Sequence, residues 1–262
     1  NISVAPLGIT LGDKVYTDGV DITPDDIYAH HAKTGELPKT TATNVGDCLD
    51  FFKKFTDEGK TVIHFTISSD MSSTYNNACI AASELENVDV IDTKNLSTGG
   101  GLLVVAAAEM LRDGLSAEEI VRKSTELIPC VDASFVIDSL EYLYKGGRCS
   151  ALAMFGANLL KLKPCIQVKN GKMDVSKKYR GKFEDVLKQY ITEKAEDYSD
   201  IVLGRVFITH AGCDPEVAKN AAELAKKLAP FKEVFITRAG CTVSSHCGAN
   251  TLGILFIRKS PI

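Results

Sequence analysis

The sequence has no C-x-x-C pair, no excess of basic residues, no apolar run of transmembrane length and no complete nucleotide-binding loop. Each absence removes a class of function. Structural zinc sites need clustered ligands and disulfide frameworks belong to small secreted folds, whereas the eight cysteines here stand apart from one another. They are expected to be reduced thiols packing as small hydrophobes, with no metal site. The longest apolar stretches, such as residues 99–110 (GGGLLVVAAAEM), fall well short of the roughly 20 residues that span a bilayer. A formal charge of −4 offers no footprint for a phosphate backbone, so nucleic acid is disfavoured. The opening residues NISVAPLG lack the basic start and cleavage site of a secretory signal, and a cytoplasmic protein is expected.

What is present is ordinary globular composition. With 262 residues, 45% hydrophobic and 24% charged, the chain can bury a core and escapes the polarity that keeps chains disordered. Residues 61–67 (TVIHFTI) form a β-branched apolar run, followed over residues 72–85 by helical spacing of Tyr75, Cys79, Ala82 and Leu85. Residues 88–91 read as the next strand, residues 102–112 as a helix, and Ser116 with Glu119 as the capping box of another helix. A strand at residues 133–137 continues the alternation, so the first half is expected to be a three-layer α/β/α domain with a mainly parallel sheet. Beyond it, Asn170-Gly171 between two apolar runs marks a hairpin, and the rest of the chain alternates helices and strands. The expectation is a second α/β domain with a mixed sheet, the two units spanning residues 1–145 and 146–262 with a cleft between them.

Three hydroxyl-rich segments precede helices, where free N–H groups and the positive dipole end favour an anion. Residues 68–75 (SSDMSSTY) hold five Ser and Thr hydroxyls, more than capping by one serine needs. Residues 38–44 (PKTTATN) precede the helix expected at 46–55, and residues 95–101 (NLSTGGG) lie between a strand and a helix. The last fails as a dinucleotide loop because Val104 stands where the third glycine belongs. Residues 140–148 (LEYLYKGGR) form a basic, glycine-flexed turn in which Arg148 could bind an anion or dock a partner. His64 lies in an apolar strand and reads as core, His30 and His31 lie in a helical stretch, and His246 sits in a small-residue loop open to a ligand. There is no G-x-S-x-G elbow, and His246 beside Cys247 in sequence establishes no dyad.

Taken in order, PKTTATN, ISSDMSSTY, IDTKNLSTGGG, LEYLYKGGR, LLKLKPCIQVKNGKM and SSHCGANTLG resemble the DegV family of bacterial fatty-acid-binding proteins, from about Val4 to Ile257. The resemblance implies a two-domain α/β fold holding a long-chain fatty acid of palmitate or oleate type in a buried apolar pocket. It places the carboxylate on Thr40, Ser72 and His246, with Thr41 and Ser73 in the same set, and gives Arg148 a part in docking. It implies no catalytic residue and no cofactor besides the bound acid, and a separate fatty acid kinase subunit as partner. The family's opening strand, ending in Asp-Ser, would precede Asn1. Ser73 stands for the usual glycine, Thr41-Ala42 for Ser-Gln, and Cys247 and Ala249 depart from the usual loop, which bears on ligand geometry. The residues alone leave an enzyme open: a protein related by fold to dihydroxyacetone kinases, or a Cys or Ser hydrolase. Against it, no acidic cluster suited to magnesium is evident. A purely structural protein would leave the hydroxyl-rich segments unexplained. Phe51, Phe52, Phe65, Leu102, Leu103, Met154, Phe155, Leu159 and Leu160 are candidates both for a tail pocket and for plain core.

Overall fold

The computed structural model describes residues 2–149 and 162–262. Strands β1 (Gly8–Leu11), β2 (Lys14–Thr17) and β3 (Lys39–Thr41) form an antiparallel sheet in the order β2-β1-β3. Helix α1 (Pro24–Thr34) intervenes; Thr23 and Asp26 close a capping box at its start, and Gly35 at φ 73° ends it. Helix α2 (Val45–Thr56), strand β4 (Val62–Thr66), helix α3 (Thr74–Ala82) and strand β5 (Val88–Asp92) follow, with β4 and β5 paired in parallel. Cys48 and Phe52 of α2 pack on Ala78 and Ala81 of α3, and the Phe52 ring meets His64 edge-on at 5.0 Å.

The larger part is built around six strands. Helices α4 (Ser97–Arg112) and α5 (Ala117–Leu127) lead into β6 (Val131–Ile137) and α6 (Glu141–Gly146). Then come β7 (Lys163–Lys169), β8 (Lys172–Tyr179), α7 (Phe183–Ala195), β9 (Arg205–Ala211), α8 (Pro215–Leu228), β10 (Glu233–Arg238), α9 (Cys241–Cys247) and β11 (Thr251–Ile257). The sheet order is β10-β9-β11-β6-β7-β8, with only β9 and β10 parallel. One face buries Val136, Ile208, Leu252 and Ile254 under α7 and α8; the other buries Ala133, Phe135 and Ile166 with Leu102 and Leu103 of α4. The hairpin between β7 and β8 turns on Asn170 (φ 51°) and Gly171 (φ 81°), the paired positive φ values of a type I′ turn.

Two expectations need correction. The parallel sheet of the first half is only the β4–β5 pair; β6 instead lies antiparallel to both β11 and β7 at the centre of the six-stranded sheet. All seven of its residues are buried, and a run buried on both faces marks a central strand without fixing its direction. Glycines 99–101, read as a loop, lie in the first turns of α4. A Cβ at Gly99 would come within 2.0 Å of Asn95 Oδ1, so the glycine admits the Asn95 side chain against the helix.

Candidate functional site

A cavity of about 410 Å³ opens where β3, the loop before α3, α9, the hairpin of β7 and β8 and the end of α6 converge. Its polar lining includes Thr40, Thr41, Ser72, Ser73, Asn77, Arg148, Thr242 and His246; Leu7, Ile67, Met71, Leu96, Met173 and Val243 supply apolar wall. All six site residues expected from sequence therefore face one space. Met71, Leu96 and Met173 also belong to the core cluster under α4, so the apolar wall is continuous with the protein interior.

Local structure explains each placement. Pairing of Thr40 with Ile9 turns the Thr40 side chain to the face opposite its exposed neighbours Lys39 and Thr41. His246 lies in the last turn of α9, a helix rather than the loop expected. The Asp18 carboxylate anchors the start of that helix, accepting hydrogen bonds from the N–H groups of Cys241 and Thr242 and from Thr242 Oγ1, each at 2.7 Å. Thr40 Oγ1 and His246 Nε2 meet at 2.9 Å, while His246 Nδ1 is buried without a partner. Burial, reinforced by the charge of Arg148, pushes the His246 pKa down to about 4, so the ring is neutral at pH 7. Arg148 is exposed at the mouth, and its Nη1 donates to the Gly146 carbonyl at 2.7 Å.

The hydroxyls divide between structure and cavity. Ser68 Oγ donates to the Gly171 carbonyl at 2.7 Å, and Ser69 Oγ accepts from Lys94 Nζ at 2.8 Å, an ammonium also held by Asp70 and Asp92. Ser72 Oγ accepts from the Thr74 N–H at 3.2 Å and meets Thr74 Oγ1 at 3.0 Å, in a local turn at the cavity wall. In the third segment, Thr98 bonds Thr209 at 2.5 Å and does not reach the cavity. Of the expected apolar residues, Phe51, Phe52 and Phe65 line an adjoining space of about 110 Å³ that shares Leu7 and Ile67 with the cavity, and Leu102 and Leu103 are core. Met154, Phe155, Leu159 and Leu160 lie outside the described residues. Asp18 is not marked in the sequence, because nothing local distinguishes an aspartate that caps a helix 223 residues away, and Gly146 stood out only as part of a flexed turn.

Among the described residues, no group of His, Cys, Asp and Glu could hold a metal ion, and no helix is long and apolar enough to cross a membrane. Cys247 touches the cavity, but burial pushes its thiol up to about 12, which leaves no thiolate nucleophile beside His246. What remains is a mixed-sheet α/β protein with a ligand-sized cavity lined by both hydroxyl-bearing and apolar side chains. The chain belongs to the DegV family: the family described as "Uncharacterised protein, DegV family" matches residues 1–259. A DegV domain-containing protein of Caldanaerobacter subterraneus subsp. tengcongensis is 32% identical over 98% of this chain and 92% of its own. Two solved structures share the fold. One, from Thermus thermophilus and described as showing fatty acid binding of a DegV family protein, has TM-score 0.87 and 26% identity over 97% of this chain and 90% of its own. The other, a stearic-acid-binding protein of Eubacterium ventriosum, has TM-score 0.83 and 29% identity over 97% and 90%.

Proposed function

We propose that this protein binds a long-chain fatty acid in the cavity, without turning it over, and presents it to a separate fatty acid kinase subunit. The observation that carries the reading is the Thr40–His246 pair in a cavity that sets hydroxyls and apolar side chains around one space. In this reading the carboxylate accepts hydrogen bonds from Thr40 and Ser72, with His246 behind Thr40 and with Thr41 and Ser73 at the rim. Residues on both sides of the boundary at 145/146 contribute, as expected for a ligand held between two units. Arg148, exposed at the mouth, would meet the partner.

Energetics favour this ligand class. Each methylene moved from water into the apolar wall contributes about 0.8 kcal/mol, so ten of them supply about 8 kcal/mol against the roughly 4–15 kcal/mol lost in association. A carboxylate buried without donors would cancel that gain, and the hydroxyls of the cavity prevent it. The volume of about 410 Å³ lies within the roughly 300–1,000 Å³ usual for small-molecule sites. The Thermus thermophilus and Eubacterium ventriosum relatives, whose descriptions state fatty acid and stearic acid binding, support the same reading.

Native mass spectrometry of the purified protein, followed by extraction and identification of the lipid, tests it. One fatty acid per chain, with occupancy reduced in Ser72→Ala and Thr40→Val, is the expected outcome. A mass without ligand that stays unchanged with added palmitate or oleate would sink the proposal.

A further inference from the structure

The two glycine-bearing motifs flanking the cavity are halves of one contact. Gly146 ends α6, and a Cβ there would lie 2.6 Å from Nδ1 of His246 and 3.5 Å from its Cε1 and Cγ. The imidazole thus rests on bare backbone. In return Gly248, just past α9, faces Tyr142 of α6, and a Cβ there would lie 2.7 Å from Tyr142 Cδ2. Each helix omits one side chain to seat a ring of the other, which fixes the ring positions more tightly than apolar packing alone.

A neutral imidazole carries one proton, on one of its two nitrogens. Nε2 has an oxygen at 2.9 Å, Thr40 Oγ1, while Nδ1 is buried against Gly146 with no partner. Buried N–H groups without an acceptor are rarer in proteins than buried acceptors without a donor. The proton therefore belongs on Nε2. The choice matters for Thr40, whose hydroxyl has a single hydrogen. If Nε2 were the acceptor, that hydrogen would turn to the ring, and a carboxylate in the cavity would face a lone pair.

We infer that Gly146 is the positioning residue that fixes His246 as its Nε2–H tautomer, so that the ring donates to Thr40 and leaves the Thr40 hydrogen for a ligand carboxylate. Only the last clause rests on the proposed fatty acid function; the tautomer is a property of the empty protein.

Long-range ¹H–¹⁵N correlation spectra of uniformly ¹⁵N-labelled protein at pH 7 read the tautomer, with His246 assigned by the loss of its signals in His246→Gln. The wild type is expected to show a protonated Nε2 and a bare Nδ1. Gly146→Ala is expected to lose that single pattern and to bind palmitate about tenfold more weakly, with hexadecanol affinity changed by less than about twofold. A wild-type spectrum with the proton on Nδ1 would overturn the inference, as would a Gly146→Ala protein that keeps both pattern and affinity. Should Gly146→Ala not fold, Thr40→Val decides: Gly146 still closes off Nδ1, so His246 is expected to keep its proton on Nε2, and a spectrum with the proton on Nδ1 counts against the inference. An Nε2–H wild type that binds no palmitate would support the tautomer and overturn the carboxylate clause together with the proposed function.

Discussion

Ser68 and Gly171 stand 103 residues apart, and the Ser68 hydroxyl donates to the Gly171 carbonyl at 2.7 Å in a buried contact. The bond ties the tip of the β7–β8 hairpin to the loop that carries Ser72, so two walls of the cavity are held by one hydroxyl. Gly171 allows it twice over, by its φ of 81° and by leaving room for Ser68, Asp70 and Lys94, all within 2.8 Å of where a Cβ would stand.

Gly171→Ala therefore meets both a disfavoured backbone conformation and a clash. The expected loss is roughly 1–3 kcal/mol of folding stability, read by urea denaturation. An unchanged midpoint would mean that the hairpin tip does not hold the loop.

Asp18→Ala removes an acceptor shared by three donors at the start of α9. Loss of a helix cap of this kind costs about 1–2 kcal/mol. Because α9 carries His246, the imidazole signals of His246 should broaden or shift as well, while those of His64, on β4, stay in place.

Tyr190 is fully buried; its hydroxyl donates to the Ser134 carbonyl at 2.7 Å and accepts from the Ile254 N–H at 3.1 Å. It is wedged between β6 and β11, whose register pairs Ser134 with Ile254. Tyr190→Phe leaves that N–H without its acceptor, at a cost of about 1–3 kcal/mol. Hydrogen exchange at Ile254 should accelerate more than at Val206, on the far side of β9.

Acid should weaken the fold through its buried histidines, His64 and His246 foremost, with burial lowering the pKa of His210 as well. Burial holds His64 at about 4, and burial with the charge of Arg148 holds His246 at about 4, against an ordinary value of 6.5. Between those limits the unfolded chain binds more protons, so stability is fully present above pH 6.5 and declines as pH falls toward 4. The loss is on the order of 3 kcal/mol per histidine at the acid end. Denaturation midpoints at pH 7 and pH 4.5 measure it, and His64→Phe, which keeps the ring against Phe52, should remove part of the difference.

Sequence alone located what local chemistry decides. Ser116 and Glu119 announced a capping box, and Asn170-Gly171 a hairpin. It missed what depends on distant partners. The buried run of β6 does not encode whether its neighbours are parallel, and the three glycines of α4 look like a loop until Asn95 is seen folded against Gly99. The site was legible as residue types, because hydroxyls in front of helices have a general use, but not as a geometry. His246 is set in a helix by Asp18 and Gly146, neither of which its local sequence suggests.

The contacts that close the cavity also fix when it can exist. Thr40 meets His246 across 206 residues and Asp18 meets Thr242 across 224, so nearly the whole chain must be ordered before either forms. During synthesis from the N-terminus, Thr40 and Ser72 leave the ribosome long before α9 does. A nascent chain has the hydroxyls but no chamber, and only the finished molecule can be loaded.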